Sequence, residues 1–167
     1  MKVPVFHVYV KKHVDSEKFG ARGSISEEDW EEIAELLSQH NIKSVLEFGG
    51  GLSTKRYCNR GLKVVCLETN LRWAEIVAEN CPSATVIRWD NKEFPKNRVG
   101  NGLFDLVFID GADPRENQVI HGKECGDKLL IHDTKRKQEQ ELIQKYLSDW
   151  KATKLSNGRL TFLEKLS

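Results

Sequence analysis

The chain has 167 residues, enough for one domain with its own core, and its 26 basic and 25 acidic side chains leave a net charge of +1. So even a balance excludes the basic excess by which dedicated nucleic-acid binders grip phosphates, and no stretch approaches the ~20 apolar residues of a membrane span. The four cysteines (Cys58, Cys66, Cys81, Cys125) include no Cys-x-x-Cys pair, the histidines show no metal-ligand spacing, and the first twenty residues hold no small-residue cleavage site; a cytoplasmic protein with reduced thiols is expected.

In chain order, Val3–Val10 reads as an added strand and Lys11–Ile25, with Gly20 and Gly23, as a loop or flap. Residues 1–25 are thus an N-terminal extension to a domain spanning 26–167. Ser26 begins a helix with Trp30, Ile33, Ala34 and Leu37 on one face. Five segments then read as short strands, most of them near-continuous apolar runs of the kind covered on both faces: Lys43–Phe48, Leu62–Glu68, Ala84–Trp89, Phe104–Asp110 and Lys128–Asp133. Asn70 caps a second helix facing inward through Trp73, Ala74 and Val77, and Leu142, Ile143, Tyr146, Leu147 and Trp150 form a third stripe. The cluster Lys135-Arg136-Lys137 reads as a solvated face, and Asn91–Leu103 as a loop or one broken turn. Near the end, Asn157-Gly158 between Lys151–Ser156 and Arg159–Lys165 is a two-residue hairpin signal. Alternating strands and helices imply right-handed crossovers and a parallel, doubly wound α/β sheet, finished by an antiparallel pair.

An acid stands at or just beyond the end of each of the five strands: Glu47, Glu68, Asp90, Asp110 and Asp133, spaced 21, 22, 20 and 23 residues apart. In an open parallel sheet those ends share one edge, where ligands bind, so the five carboxylates are expected to face one crevice. Gly49 and Gly51 allow a tight turn that a ligand can touch. Ser53 and Thr54 are placed to cap the next helix, whose N-terminus offers free N–H groups. Glu68 suits a ribose diol, Asp90 and the backbone beside it an adenine amino group, and Glu47 either an ammonium group or the loop itself. These features describe a nucleoside with a charged amino-acid tail and no phosphate. GGGLSTK is not a P-loop, and GLSTK is not a hydrolase elbow. The dinucleotide fingerprint needs a glycine where Thr54 stands, though an acid at Glu68 fits both classes.

VLEFGGGLST, VVCLETN, FDLVFIDGADPREN and GDKLLIHDT, in that order over roughly residues 26–165, resemble the class I S-adenosylmethionine-dependent methyltransferases. The resemblance implies a seven-stranded sheet of order 3-2-1-4-5-7-6 and S-adenosyl-L-methionine as cofactor. It would lie over Glu47, Phe48, Gly49, Gly50, Gly51 and Ser53, with Glu68 and Thr69, Asp90 and Asn91, and Asp110 around it. FIDG and IHDT further resemble the small-molecule O-methyltransferase branch. Metal-dependent members carry carboxylates after the fourth and fifth strands, matched by Asp110 and Asp133. Thr134 stands where an asparagine is usual, so the ligand count is short for a hard cation and no metal is expected.

Asp110, His132 and Asp133 are the catalytic candidates. His132 reads either as a general base or as a core histidine bonded to backbone, and Arg115 either as a grip for an anionic substrate or, in preference, as an exposed loop arginine. Lys11–Ile25, Asn91–Leu103 and Asp113–Gly122 are expected to frame a pocket for a small-molecule acceptor. Two other readings stay open. One is an NAD-dependent oxidoreductase, which would want a glycine in place of Thr54 and a Tyr–Lys pair. The other is a non-catalytic methyltransferase-like partner subunit.

Overall fold

A computed structural model describes residues 25–167. The strand over Val3–Val10 and, Ile25 apart, the loop over Lys11–Ile25 fall outside the described residues. Helix α1 (Glu27–Gln39) starts as expected: Ser26 Oγ accepts a hydrogen bond from Asp29 N at 3.1 Å, and Glu27, Glu28 and Asp29 fill the first turn. Three acids there complement the positive end of the helix dipole. Ser26→Ala is expected to cost about 1 kcal/mol, read as a lower urea midpoint; an unmoved midpoint would mean the cap carries no stability.

Seven strands form one sheet of order β3-β2-β1-β4-β5-β7-β6. They are β1 (Ser44–Phe48), β2 (Lys63–Glu68), β3 (Thr85–Arg88), β4 (Leu106–Ile109), β5 (Lys128–His132), β6 (Trp150–Leu155) and β7 (Leu160–Lys165). The first five pair in parallel, and β7 runs antiparallel to β5 and β6. Period-two alternation sends neighbours to opposite faces. Leu46, Phe48, Val65, Leu67, Val107 and Ile109 enter one buried cluster, and Val45, Val64, Leu106 and Phe108 another with Ile33, Leu36 and Tyr57. The near-continuous apolar runs therefore report cover on both sides.

Helices α2 (Leu52–Asn59), α3 (Leu71–Asn80), α4 (Lys96–Val99), α5 (Glu116–Cys125) and α6 (Lys137–Tyr146) complete the fold. Helix α5 is not expected from the sequence, because it buries only Gln118, Val119 and Gly122, too narrow a stripe to read. Two expectations change. Trp150 opens β6 and does not extend the α6 stripe. Asn157 (φ 55°) and Gly158 (φ 85°) take the left-handed conformations a type I′ turn needs, and Arg159 N donates to Ser156 O at 3.1 Å. Ser156 is left-handed as well (φ 50°), so the ladder stops one residue early, at Leu155–Leu160. Among the described residues no helix is long and apolar enough to cross a membrane.

Candidate functional site

The β1–α2 turn explains its glycines. Gly49 has φ +85°, and a Cβ there would lie 2.5 Å from Gly111 Cα and 2.7 Å from Asp110 O, so only glycine fits. A Cβ on Gly50 would meet Cys66 Sγ at 2.6 Å. Glu68 grips this turn from β2: one carboxylate oxygen accepts from Gly50 N and the other from Asn70 N, each at 3.0 Å. Trp73 Nε1 donates to Gly50 O at 2.7 Å.

Ser53 and Thr54 turn inward. Both hydroxyls donate to Glu47, Thr54 Oγ1 at 2.6 Å from Oε2, while Thr54 Oγ1 itself accepts from Gly51 N at 2.9 Å. Glu47 is wholly buried, and burial pushes its carboxyl up to about 8 against the pull of the two hydroxyls. Of its two expected roles, the geometry supports the brace.

A tight crevice, with no room for a water molecule, lies beside the turn, lined by Phe48, Gly49, Leu67, Glu68, Thr69, Trp89, Gly111, Ala112 and Gln118. It is smaller than the ~300–1,000 Å³ of ordinary ligand pockets. Gln118 is an unforeseen member. Its Nε2 donates to Ala112 O at 2.9 Å, and its buried Oε1 has no hydrogen-bond partner among the described residues. Asp90 and Asn91 stand outside this lining. Asp90 is exposed and accepts from Lys92 N at 3.0 Å; Asn91 Nδ2 donates to Pro114 O, and Asn91 O accepts from Asn117 Nδ2, both at 2.7 Å. The five carboxylates therefore share an edge and not a crevice: only Glu68 lines it.

Asp110, His132 and Asp133 do come together, with ligand-type atoms within 4.8 Å of one another. His132 Nδ1 lies 2.9 Å from Asp110 Oδ1 and 3.5 Å from Asp133 Oδ1, and Nε2 faces Asp29 Oδ2 at 3.5 Å. Burial alone would lower the imidazole pKa, but the hydrogen bond and charge of Asp110, with Asp133 and Asp29, raise it above its usual value. It is neither a free base nor a backbone-bonded core residue. Asp29 arrives from α1 already paired, accepting from Arg159 Nε at 2.9 Å and Nη2 at 2.8 Å. Burial pushes its carboxyl up, and Arg159 outweighs that and holds it below the usual value.

Arg115 corrects the reading of an exposed loop arginine: it is 4% exposed. Its Nε donates to Gly111 O at 2.8 Å, Nη1 to His132 O at 2.9 Å, and Nη2 to Asp133 Oδ2 at 3.0 Å. A wider hollow of about 440 Å³ opens between Glu32, Thr134, Lys135 and Ser156–Gly158. It sits three strands along from β1, about 14 Å at ~4.8 Å per strand, and contains none of the expected site residues.

No protein-family model matches the sequence, and no curated protein matches it. Solved structures do. One from Klebsiella pneumoniae, proposed to be an O-methyltransferase, is 15% identical with TM-score 0.68, covering 90% of this chain and 86% of that one. An O-methyltransferase from Bacillus cereus, in complex with SAH, is 17% identical with TM-score 0.62, over 85% and 83% of the two chains. A protein from Pyrococcus horikoshii proposed to be an RNA methyltransferase is 16% identical with TM-score 0.62, over 81% and 82%. At such identities the likeness is one of fold. The chain has the class I methyltransferase fold, in the strand order expected from its motifs.

Proposed function

We propose that the chain is an S-adenosyl-L-methionine-dependent methyltransferase acting on a small-molecule acceptor in the cytoplasm. The observation that carries this is the Gly49–Gly51 turn, pinned by Glu68 where strand order reverses between β1 and β4, the place where such sheets bind ligands. The residues fit the cofactor. Glu68 can turn its carboxylate to a ribose diol, Gly49 and Gly111 both line the crevice, and the unpartnered Gln118 Oε1 can accept from an adenine amino group.

The bound cofactor supplies an already activated methyl group on a sulfonium, so the chain's main task is positioning. Asp133 is the candidate to take a proton from the acceptor, where the acceptor carries one. Its side chain is 37% exposed, against 15% for Asp110. His132, with carboxylates facing both ring nitrogens, holds Asp110 in place. The cytoplasmic reading rests on four cysteines that form no disulfide.

Calorimetry with S-adenosylhomocysteine tests the proposal. Saturable binding is expected, weakened in Glu68→Ala by about 1–3 kcal/mol, roughly 5- to 150-fold, for losing hydrogen bonds to a charged group. Unchanged affinity in that variant would remove Glu68 from the site. The narrow crevice favours one second reading, a partner subunit that keeps the fold without the cofactor. Absence of binding at millimolar ligand would establish it, and binding of NADH instead would establish an oxidoreductase.

A further inference from the structure

The cluster at the ends of β4 and β5 has the donor set of a divalent-cation site and a guanidinium inside it. Asp110, His132 and Asp133 offer three ligand atoms within 4.8 Å. Arg115 Nη2 stands among them, 3.0 Å from Asp133 Oδ2 and 3.4 Å from Asp110 Oδ1. The side chain is locked there. Its Nε and Nη1 donate to the main-chain carbonyls of Gly111 and His132, on two different segments, and Glu139 Oε1 lies 3.6 Å from Nη1. Swinging the group out would strand two carbonyls and leave three acids facing one another. Nor can the charge leave by deprotonation, as a lysine's can, because a guanidinium stays protonated at any ordinary pH. The metal used between such carboxylates by some O-methyltransferases therefore does not fit this chain.

We propose that Arg115 is the resident cation of this site. It occupies the place between Asp110 and Asp133 that a divalent ion would need, keeps both carboxylates oriented, and ties the β4–α5 turn to β5. The exclusion of metal stands on these contacts alone. Its consequence for the acceptor rests on the proposed methyl transfer. An acceptor here presents a single nucleophilic atom held by hydrogen bonds to Asp133, not a vicinal oxygen pair that chelates a metal.

Titration of the whole chain with Mn²⁺, following the free-ion signal by electron paramagnetic resonance, tests the proposal whether or not the chain binds S-adenosylmethionine. The wild type is expected to take up no stoichiometric Mn²⁺ up to ~1 mM, the weak end of protein sites for hard cations. Arg115→Gln, which keeps the planar shape and removes the charge, is expected to gain one site at least tenfold tighter, and Asp133→Asn in that background to lose it. One Mn²⁺ bound by the wild type and lost in Asp133→Asn would overturn the proposal. So would a folded Arg115→Gln, judged by its melting curve, that gains nothing. Should Arg115→Gln not fold, Arg115→Met keeps the test open: it fills much of the same space without a charge and is expected to gain the Mn²⁺ site, whereas a folded Arg115→Met that gains nothing would overturn the proposal.

Discussion

Gly49→Val is expected to lower the melting temperature by roughly 5–20 °C and to abolish S-adenosylhomocysteine binding. Two costs combine. A side chain at φ +85° gives up about 1–2 kcal/mol to the left-handed conformation. Its Cβ would also sit 2.5 Å from Gly111 Cα. That neighbour is backbone held between Asp110 and Arg115, so it cannot rotate aside, and forced overpacking adds about 1–3 kcal/mol. Together they take ~2–5 kcal/mol from a domain with roughly 5–15 to spare, at about 2–4 °C per kcal/mol for this size. Gly61→Val separates the two costs, since Gly61 has φ +75° and nothing within 4 Å of its would-be Cβ. It should show only the smaller, conformational loss. A Gly49→Val protein that melts within a few degrees of wild type and still binds S-adenosylhomocysteine would mean that the turn neither packs on Gly111 nor faces the ligand.

What could be read in advance follows from how local each signal is. The strands β1, β2, β4 and β5 were legible because burial on both faces leaves an uninterrupted apolar run. The caps Ser26 and Asn70 were legible because their partners lie three residues away. Gly49 announced a turn, and Glu68 its distance from that turn. The misread residues depend on partners brought by the fold from far along the chain. Arg115 finds Asp133 eighteen residues on, and Asp29 finds Arg159 across 130 residues. No local pattern distinguishes an arginine that will meet two carboxylates and two carbonyls from one in solvent. Gln118 escaped notice for a related reason: a polar residue on a faint helical stripe looks like surface until α5 is laid against Gly111.

The strand-end acids share one sequence position and divide by depth and neighbour. Glu47 is sealed under the turn, Glu68 grips it, Asp90 caps a surface turn, and Asp110 and Asp133 belong to the Arg115–His132 cluster. A common register therefore predicts a common edge but not a common task. The fold supplies the edge, and the cations that arrive there, Arg115 above all, settle what each carboxylate is available for.

Glu47 carries the largest expected pH effect. Its carboxyl is raised from the ordinary 4.5 to about 8 by burial, so the folded chain holds a proton there that the unfolded chain releases. Stability is then fully present below pH ~4.5 and falls by about 1.4 kcal/mol per pH unit until the pH passes about 8. His132, also raised, acts in the same direction, its contribution fading as pH rises above 6.5 through the folded value; Asp29, lowered, matters only below 3.8. Glu47→Gln keeps the shape of the protonated acid and cannot ionise. Urea unfolding of both proteins from pH 5 to pH 8 should therefore show curves that diverge, the variant flatter and roughly 2–4 kcal/mol more stable than wild type at pH 8. Parallel curves would mean that Glu47 is ionised in the folded state, with Ser53 and Thr54 sufficient to hold the charge. The protonated form also bears on the site. A neutral Glu47 lends no negative charge to the turn at neutral pH, which leaves Glu68 as the one acid along the crevice able to hold the ribose.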